Sequence, residues 1–288
     1  MWGCFYFMSK KHYFLILVLI GQIFLNGSVA YSQEKKIISL GPAFTKAIYE
    51  LDAQDNLIGC TSFCPLQDDA DKKEIVATII DVNIEKIIEL NPDIILASKL
   101  TNRRSIELLS KAGFSVVVFD QPKNFNQLCD QFRKIAQITA TEEKAEKIIN
   151  QVKEAISQIQ AETINLYRPK VFIQIGARPL FTVTSDSFIN DMIDKANAIN
   201  IAREAKIGLY STEEVLAKKP DHIIISTMGL IGEQEKMNWQ KYQIIPAVKN
   251  KKIDIIDQDA LCSPTPSEFA KTLKILSKII HNGKKNEL

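Results

Sequence analysis

The sequence is poor in histidine. It has three in 288 residues, and beyond residue 30 only His222 and His281 remain, far apart in the chain. No His cluster of zinc-site spacing can be drawn from them. A Gly-x-Ser-x-Gly nucleophile elbow is also missing, as is a Gly-rich phosphate loop following a strand. Catalysis therefore finds little support. No low-complexity tract interrupts the chain. The formal net charge is only +2, and Lys10 and Lys11 account for it, since residues 1–30 carry no acids. Without that segment the charge is about zero, which argues against a nucleic-acid partner. No apolar run reaches the ~20 residues of a membrane span.

The longest such run, Phe14 to Leu25, reads instead as part of an export signal. Lys10 and Lys11 precede it, and Ser28-Val29-Ala30 supplies small residues at a cleavage site. Residues 1–30 are expected to be a signal peptide that is cleaved, which makes the mature protein periplasmic. An uncleaved anchor is the alternative. Cys4 lies before the apolar run, so it is not placed as a lipoprotein cysteine.

One unit occurs twice. Asn83-Ile84-Glu85 leads through an apolar pair to Pro92-Asp93 and the run Ile94-Ile95-Leu96, and Ser211-Thr212-Glu213 leads likewise to Pro220-Asp221 and Ile223-Ile224-Ile225. Asn83 and Ser211 have the chemistry of helix N-caps, and Glu85 and Glu213 complement the positive helix end. Pro92 and Pro220 stop each helix. The aliphatic runs suit strands buried on both faces of a parallel sheet. The copies are roughly 128 residues apart, as in a duplicated lobe. Between them, apolar residues from Ala145 to Ile159 recur at helical spacing without Gly or Pro. These patterns predict an α/β fold with two similar Rossmann-like lobes, each with a central parallel sheet, over residues 36–138 and 168–288. One long backbone α-helix, within residues 139–167 and spanning Thr141 to Leu166, joins them and limits their relative motion. Loops at the strand ends should line a cleft; they contain Phe63 and Cys64 in one lobe, and Phe181, Tyr210, Asp257 and Cys262 in the other.

The chain resembles the class III, helical-backbone periplasmic substrate-binding proteins of ABC importers. The resemblance rests on Ile37 to Thr45, both Glu…Pro-Asp units, the central helix and Cys262-Ser263-Pro264-Thr265-Pro266. It implies a receptor that is not an enzyme, needs no cofactor, acts as a monomer, and delivers its ligand to a permease with its ATPase. It also implies that Glu85 and Glu213, one per lobe, dock on permease arginines, with Glu74 and Glu214 as possible helpers. The expected cargo is a metal chelate: cobalamin or another corrinoid first, haem or an iron–siderophore as alternatives. Against the family's cobalamin receptors, Phe63 falls at a cleft Tyr, Phe181 at a cleft Phe and Asp257 at an Asp of the last ligand loop. Three cleft Trp positions fall at Ile79, Ser98 and Ile207. A small exported α/β enzyme with its active site in the same cleft is one competing class, and a binding module that senses its ligand and signals without an importer is the other. For Cys64 and Cys262 three states stay open: spectator thiols, contacts to a metal-bearing ligand, or a disulfide across the cleft.

Overall fold

A computed structural model describes residues 35–66, 72–78, 81–226 and 230–281. The expected signal peptide, most of the acidic stretch at 67–74, Ile79 and the polar tail 282–288 lie outside the described residues.

The N-terminal lobe runs β1 (Ile37–Ser39), α1 (Pro42–Glu50), β2 (Leu57–Thr61), β3 (Glu74–Ala77), α2 (Ile84–Leu90), β4 (Ile94–Ser98), α3 (Arg103–Lys111), β5 (Val116–Phe119) and α4 (Phe125–Thr139). Its five strands are all parallel, in the order β3-β2-β1-β4-β5. The bridging helix α5 (Glu142–Thr163) follows. The C-terminal lobe comprises β6 (Lys170–Gly176), β7 (Phe181–Thr182), α6 (Phe188–Lys195), β8 (Ile199–Asn200), α7 (Thr212–Lys218), β9 (His222–Ile225), α8 (Leu230–Gln240), α9 (Pro246–Lys249), β10 (Ile253–Ile255), α10 (Gln258–Cys262) and α11 (Pro266–His281). In its sheet β10, β9 and β6 are parallel, and β7 returns antiparallel at the end of β6.

The duplicated unit is duplicated in detail. Asn83 Oδ1 accepts from Lys86 N at 3.0 Å, and Ser211 Oγ accepts from Glu214 N at 3.2 Å. Each helix closes on a left-handed residue, Asn91 (φ 45°) or Lys219 (φ 50°), which turns the chain just before the proline. The aspartate that follows has a use not visible in the sequence. Asp93 Oδ2 accepts from Lys36 N at 2.7 Å, and Asp221 Oδ2 accepts from Lys170 N at 2.8 Å. Each Pro-Asp thus pins the strand it precedes to the first strand of its own lobe.

Details at the helix ends and faces have local causes. The first helix begins at Pro42, because proline suits the first helical turn. On α3 Leu109 is buried and Ile106 half-buried, but Leu108 points outward; its neighbours three residues apart own the inner face. Thr141 makes no capping hydrogen bond to α5, because its hydroxyl pairs with that of Thr139 at 2.8 Å. The bridging helix stops at Thr163 rather than Leu166. There Asn197 Nδ2 donates to the carbonyls of Thr163 (2.6 Å) and Leu166 (3.1 Å), satisfying groups that a frayed helix end would leave open.

The lobes share a core. Ile149, Val152 and Ile156 of α5 belong to one buried cluster with Phe125 and Phe132 of α4, Met192 of α6 and Phe269 and Leu273 of α11. Each fully buried large side chain contributes ~1.5–3 kcal/mol. Polar ties run alongside: Phe125 N donates to Asp191 Oδ2 at 2.8 Å, and Lys46 of α1 forms an ion pair with Glu268 of α11 at 3.3 Å. The joint between the lobes is therefore a packed interior as well as a single helix.

Candidate ligand-binding cleft

All five parallel strands of the first lobe end on one cavity of about 340 Å³. After β1 come Leu40 to Phe44; after β2, Phe63; after β3, Thr78 and Asp81; after β4, Leu100, Thr101 and Asn102; after β5, Gln121 and Pro122. Gln131 of α4 adds an amide. The second lobe closes the cavity with Phe188 at the start of α6 and with Cys262, Ser263 and Pro264. Carboxyl ends of parallel strands are where open α/β sheets bind ligands. The walls are largely apolar, and Phe63 (51% exposed) and Leu100 (80% exposed) leave large hydrophobic surfaces uncovered.

The loops are held by their own hydrogen bonds. Leu100 N donates to Ser98 Oγ at 3.2 Å and Ser98 N to Thr101 Oγ1 at 3.2 Å. Asn102 Oδ1 caps α3, accepting from Arg104 N at 2.9 Å. The 259–263 segment is held from behind by Lys46, whose Nζ donates to the carbonyls of Asp259 and Ser263, each at 3.4 Å.

The residues singled out from the sequence fall in different places. Phe63 and Cys262 line the cavity. Burial pushes the Cys262 thiol up. Cys64, next to Phe63, turns away from the cavity toward Thr45 and Thr61. None of the four cysteines among the described residues is in a disulfide. Phe181 stands on β7, opposite Gly176 at the carboxyl end of β6, and keeps 41% of its surface exposed. Its ring lies so close over Gly208 that a Cβ there would come within 2.6 Å of it, so only glycine fits. Tyr210 is a core residue: it stacks on Phe172 with ring centroids 5.9 Å apart, and only 9% of it is exposed. Asp257 spends its carboxylate on its own helix, accepting from Asp259 N (2.8 Å) and Ala260 N (3.2 Å). Sequence reasoning missed the polar lining, Thr101, Asn102, Gln121 and Gln131. The first three had one signal, their position directly after strands, and Gln131, inside α4, had none.

Glu85 and Glu213 are exposed at the second position of α2 and α7. Their acidic neighbours are otherwise engaged. Glu74 is ion-paired with Lys86, and Glu214 Oε2 accepts from Ser211 N at 2.9 Å.

Residues 37–260 match the family of periplasmic binding proteins. The chain belongs to that family. Its relatives include the ABC transporter substrate-binding lipoprotein YvrC of Bacillus subtilis, 29% identical over 251 residues that cover 84% of this chain and 79% of the relative. The fold of this periplasmic binding protein is also that of the periplasmic vitamin B12 binding protein BtuF of Vibrio cholerae. That match has a TM-score of 0.75 at 23% identity and covers 88% of this chain and 99% of the other. The periplasmic heme binding protein HutB of the same organism matches with a TM-score of 0.77 at 22% identity, covering 86% and 100%. Among the described residues of this family member, no helix is long and apolar enough to cross a membrane, and no group of three or more His, Cys, Asp or Glu could hold a metal ion.

Proposed function

We propose that this chain is the exported substrate-binding component of an ABC importer and that its cleft captures a neutral metal chelate whose coordination shell is already complete, a cobalt corrinoid first. The chemistry of the cavity wall carries this reading. Among the described residues that line it there is no His, Tyr, Met, Lys or Arg. Haem iron is ordinarily held by His, Tyr, Met or a Cys thiolate, and anionic chelates call for Arg or Lys. What the wall offers is apolar surface from Phe44, Phe63, Leu100 and Phe188, amides and hydroxyls from Thr101, Asn102, Gln121, Gln131 and Ser263, and two carboxylates, Asp81 and Asp120, which add to the case against an anionic chelate. A corrinoid brings its own axial ligands, an apolar ring edge and a fringe of amides, and so meets these groups in kind. Haem is the second reading, favoured by the likeness to HutB; Cys262 would then be the axial donor, and its raised pKa disfavours the thiolate form.

The name of YvrC supports an ABC transporter as the setting, and with it a permease and an ATPase as partners of a monomeric receptor. Glu85 and Glu213 are proposed as the docking acids, since each is exposed and has no competing ion pair among the described residues. Titrating the protein lacking residues 1–30 with cyanocobalamin, haemin and a ferric catecholate, followed by absorption, tests the ligand. Saturable binding of cyanocobalamin in preference to the others is expected. Tight haemin binding with a new Soret band and no response to cyanocobalamin would refute the corrinoid assignment.

A further inference from the structure

The turn that carries Phe63 is built around two sulfurs. Cys60, in β2, is fully buried, and Cys64 lies four residues on in a turn closed by a hydrogen bond from Cys64 N to Thr61 O at 3.0 Å. Cys64 Sγ is surrounded by donors. Thr45 Oγ1, whose proton is shared with Ser39 Oγ, lies at 3.0 Å, Thr61 Oγ1 lies at 3.2 Å, and the Cys60 thiol hydrogen-bonds the same atom. Such donors stabilise an anion more than a neutral thiol. The Cys60 hydrogen bond, opposed by burial and assisted by Thr45 and Thr61, brings Cys64 down from 9.0 to about 6. Burial moves Cys129 and Cys262 the other way.

We propose that Cys60 and Cys64 form a dithiol site that exchanges with disulfides, with Cys64 as the attacking sulfur and Cys60 as the resolving one. The roles follow from access: Cys64 is half-buried, whereas Cys60 has no exposed surface. The Cys64 thiolate attacks one sulfur of an incoming disulfide and expels the other as a thiolate. Cys60 then loses its proton to the departing thiolate or to solvent, attacks the Cys64 sulfur and expels the second thiolate. Two thiols of the chain are oxidised to one disulfide, the oxidant is reduced to two thiols, and no other electron acceptor is needed. That the chain meets disulfide oxidants in the cell rests on the export proposed above; the chemistry itself does not.

Oxidised glutathione is a suitable probe. The full chain, reduced and then exposed to it, is quenched by alkylation and mapped by mass spectrometry. The expected product is a Cys60–Cys64 disulfide, with Cys129 and Cys262 alkylated. Cys60→Ser should stop at a stable glutathione adduct on Cys64, and Cys64→Ser should leave Cys60 as a thiol. Two results would overturn the proposal: Cys64 fully alkylated in the wild type after exposure, or glutathione on Cys60 in Cys64→Ser. Disulfide formation in a protein that binds no corrinoid would support the dithiol site and count only against the ligand reading.

Discussion

Replacing Phe269 by Ala tests whether the two lobes are one cooperative body. Phe269 is fully buried on α11, the last helix of the C-terminal lobe, and its ring centroid lies 5.0 Å from that of Phe125, the first residue of α4 in the other lobe. Both rings belong to the cluster that contains Ile149 and Ile156 of the bridging helix. Truncation of a buried Phe costs ~3–5 kcal/mol, of which the lost ring pair accounts for ~0.5–1.5. A domain has only ~5–15 kcal/mol to lose. With a urea slope of up to ~3 kcal/mol per molar, the midpoint should fall by roughly 1–2 M. In the chain without residues 1–30, Trp239 is the single tryptophan, and it lies in a different cluster of the C-terminal lobe, beside Phe172 and Tyr210. Its fluorescence therefore reports a region the substitution does not touch, while far-ultraviolet circular dichroism reports all the helices. If the shared core couples the lobes, both signals should shift together to the lower midpoint. A Trp239 transition left at the wild-type midpoint while the helical signal drops would refute the coupling.

Three other outcomes are expected. The double substitution Glu85→Ala and Glu213→Ala should lower ligand uptake in cells while leaving affinity in solution unchanged; uptake at the wild-type rate would remove both acids from docking. Phe63→Ala should weaken ligand binding by ~1–3 kcal/mol, the scale of one large apolar side chain, and more than Phe181→Ala, because only Phe63 lines the cavity; equal losses in a titration would contradict that placement. Burial, and then the Lys252 ammonium 3.3 Å away, lower His222 from 6.5 to about 4, so the fold holds its imidazole neutral. That contribution is complete above pH 6.5 and is lost as pH falls from there toward 4; the urea midpoint of the wild type should fall across this window more steeply than that of His222→Gln, and parallel slopes would refute the assignment.

The repeated unit was legible because each of its parts has a local cause: a side-chain cap, a glutamate at a helix start, a proline stop and an aliphatic run. The alternation of strands and helices followed from it. What sequence could not convey was direction. Leu209 is exposed and pairs with Phe181, whereas the adjacent Tyr210 turns into the core, and no periodicity separates the two. Phe63 and Cys64 part in the same way, because the turn sends the ring to the cavity and the sulfur to the hydroxyls of Thr45 and Thr61. Asp257 resembled a ligand contact from its loop, but a free helix start two residues on was the nearer partner. The union of α11 with α5 was equally hidden, since it joins segments more than a hundred residues apart through apolar faces that either helix could have turned elsewhere.

The position of the repeat bears on delivery as well as on architecture. In a parallel α/β lobe a helix that follows a strand starts at the sheet's carboxyl edge, the edge that carries the ligand. Glu85 follows Asp81 and Val82, which line the cavity, by a few residues. Glu213 follows Leu209, which pairs with Phe181 at the carboxyl end of β6. Both proposed docking acids therefore stand on the cleft edge of their own lobe. A permease that engages the two together would face the mouth of the cavity, and the ligand would leave without the receptor having to turn. The shared core then supplies what such docking needs, because two acids can engage one partner together only if the joint between their lobes holds them at a fixed spacing.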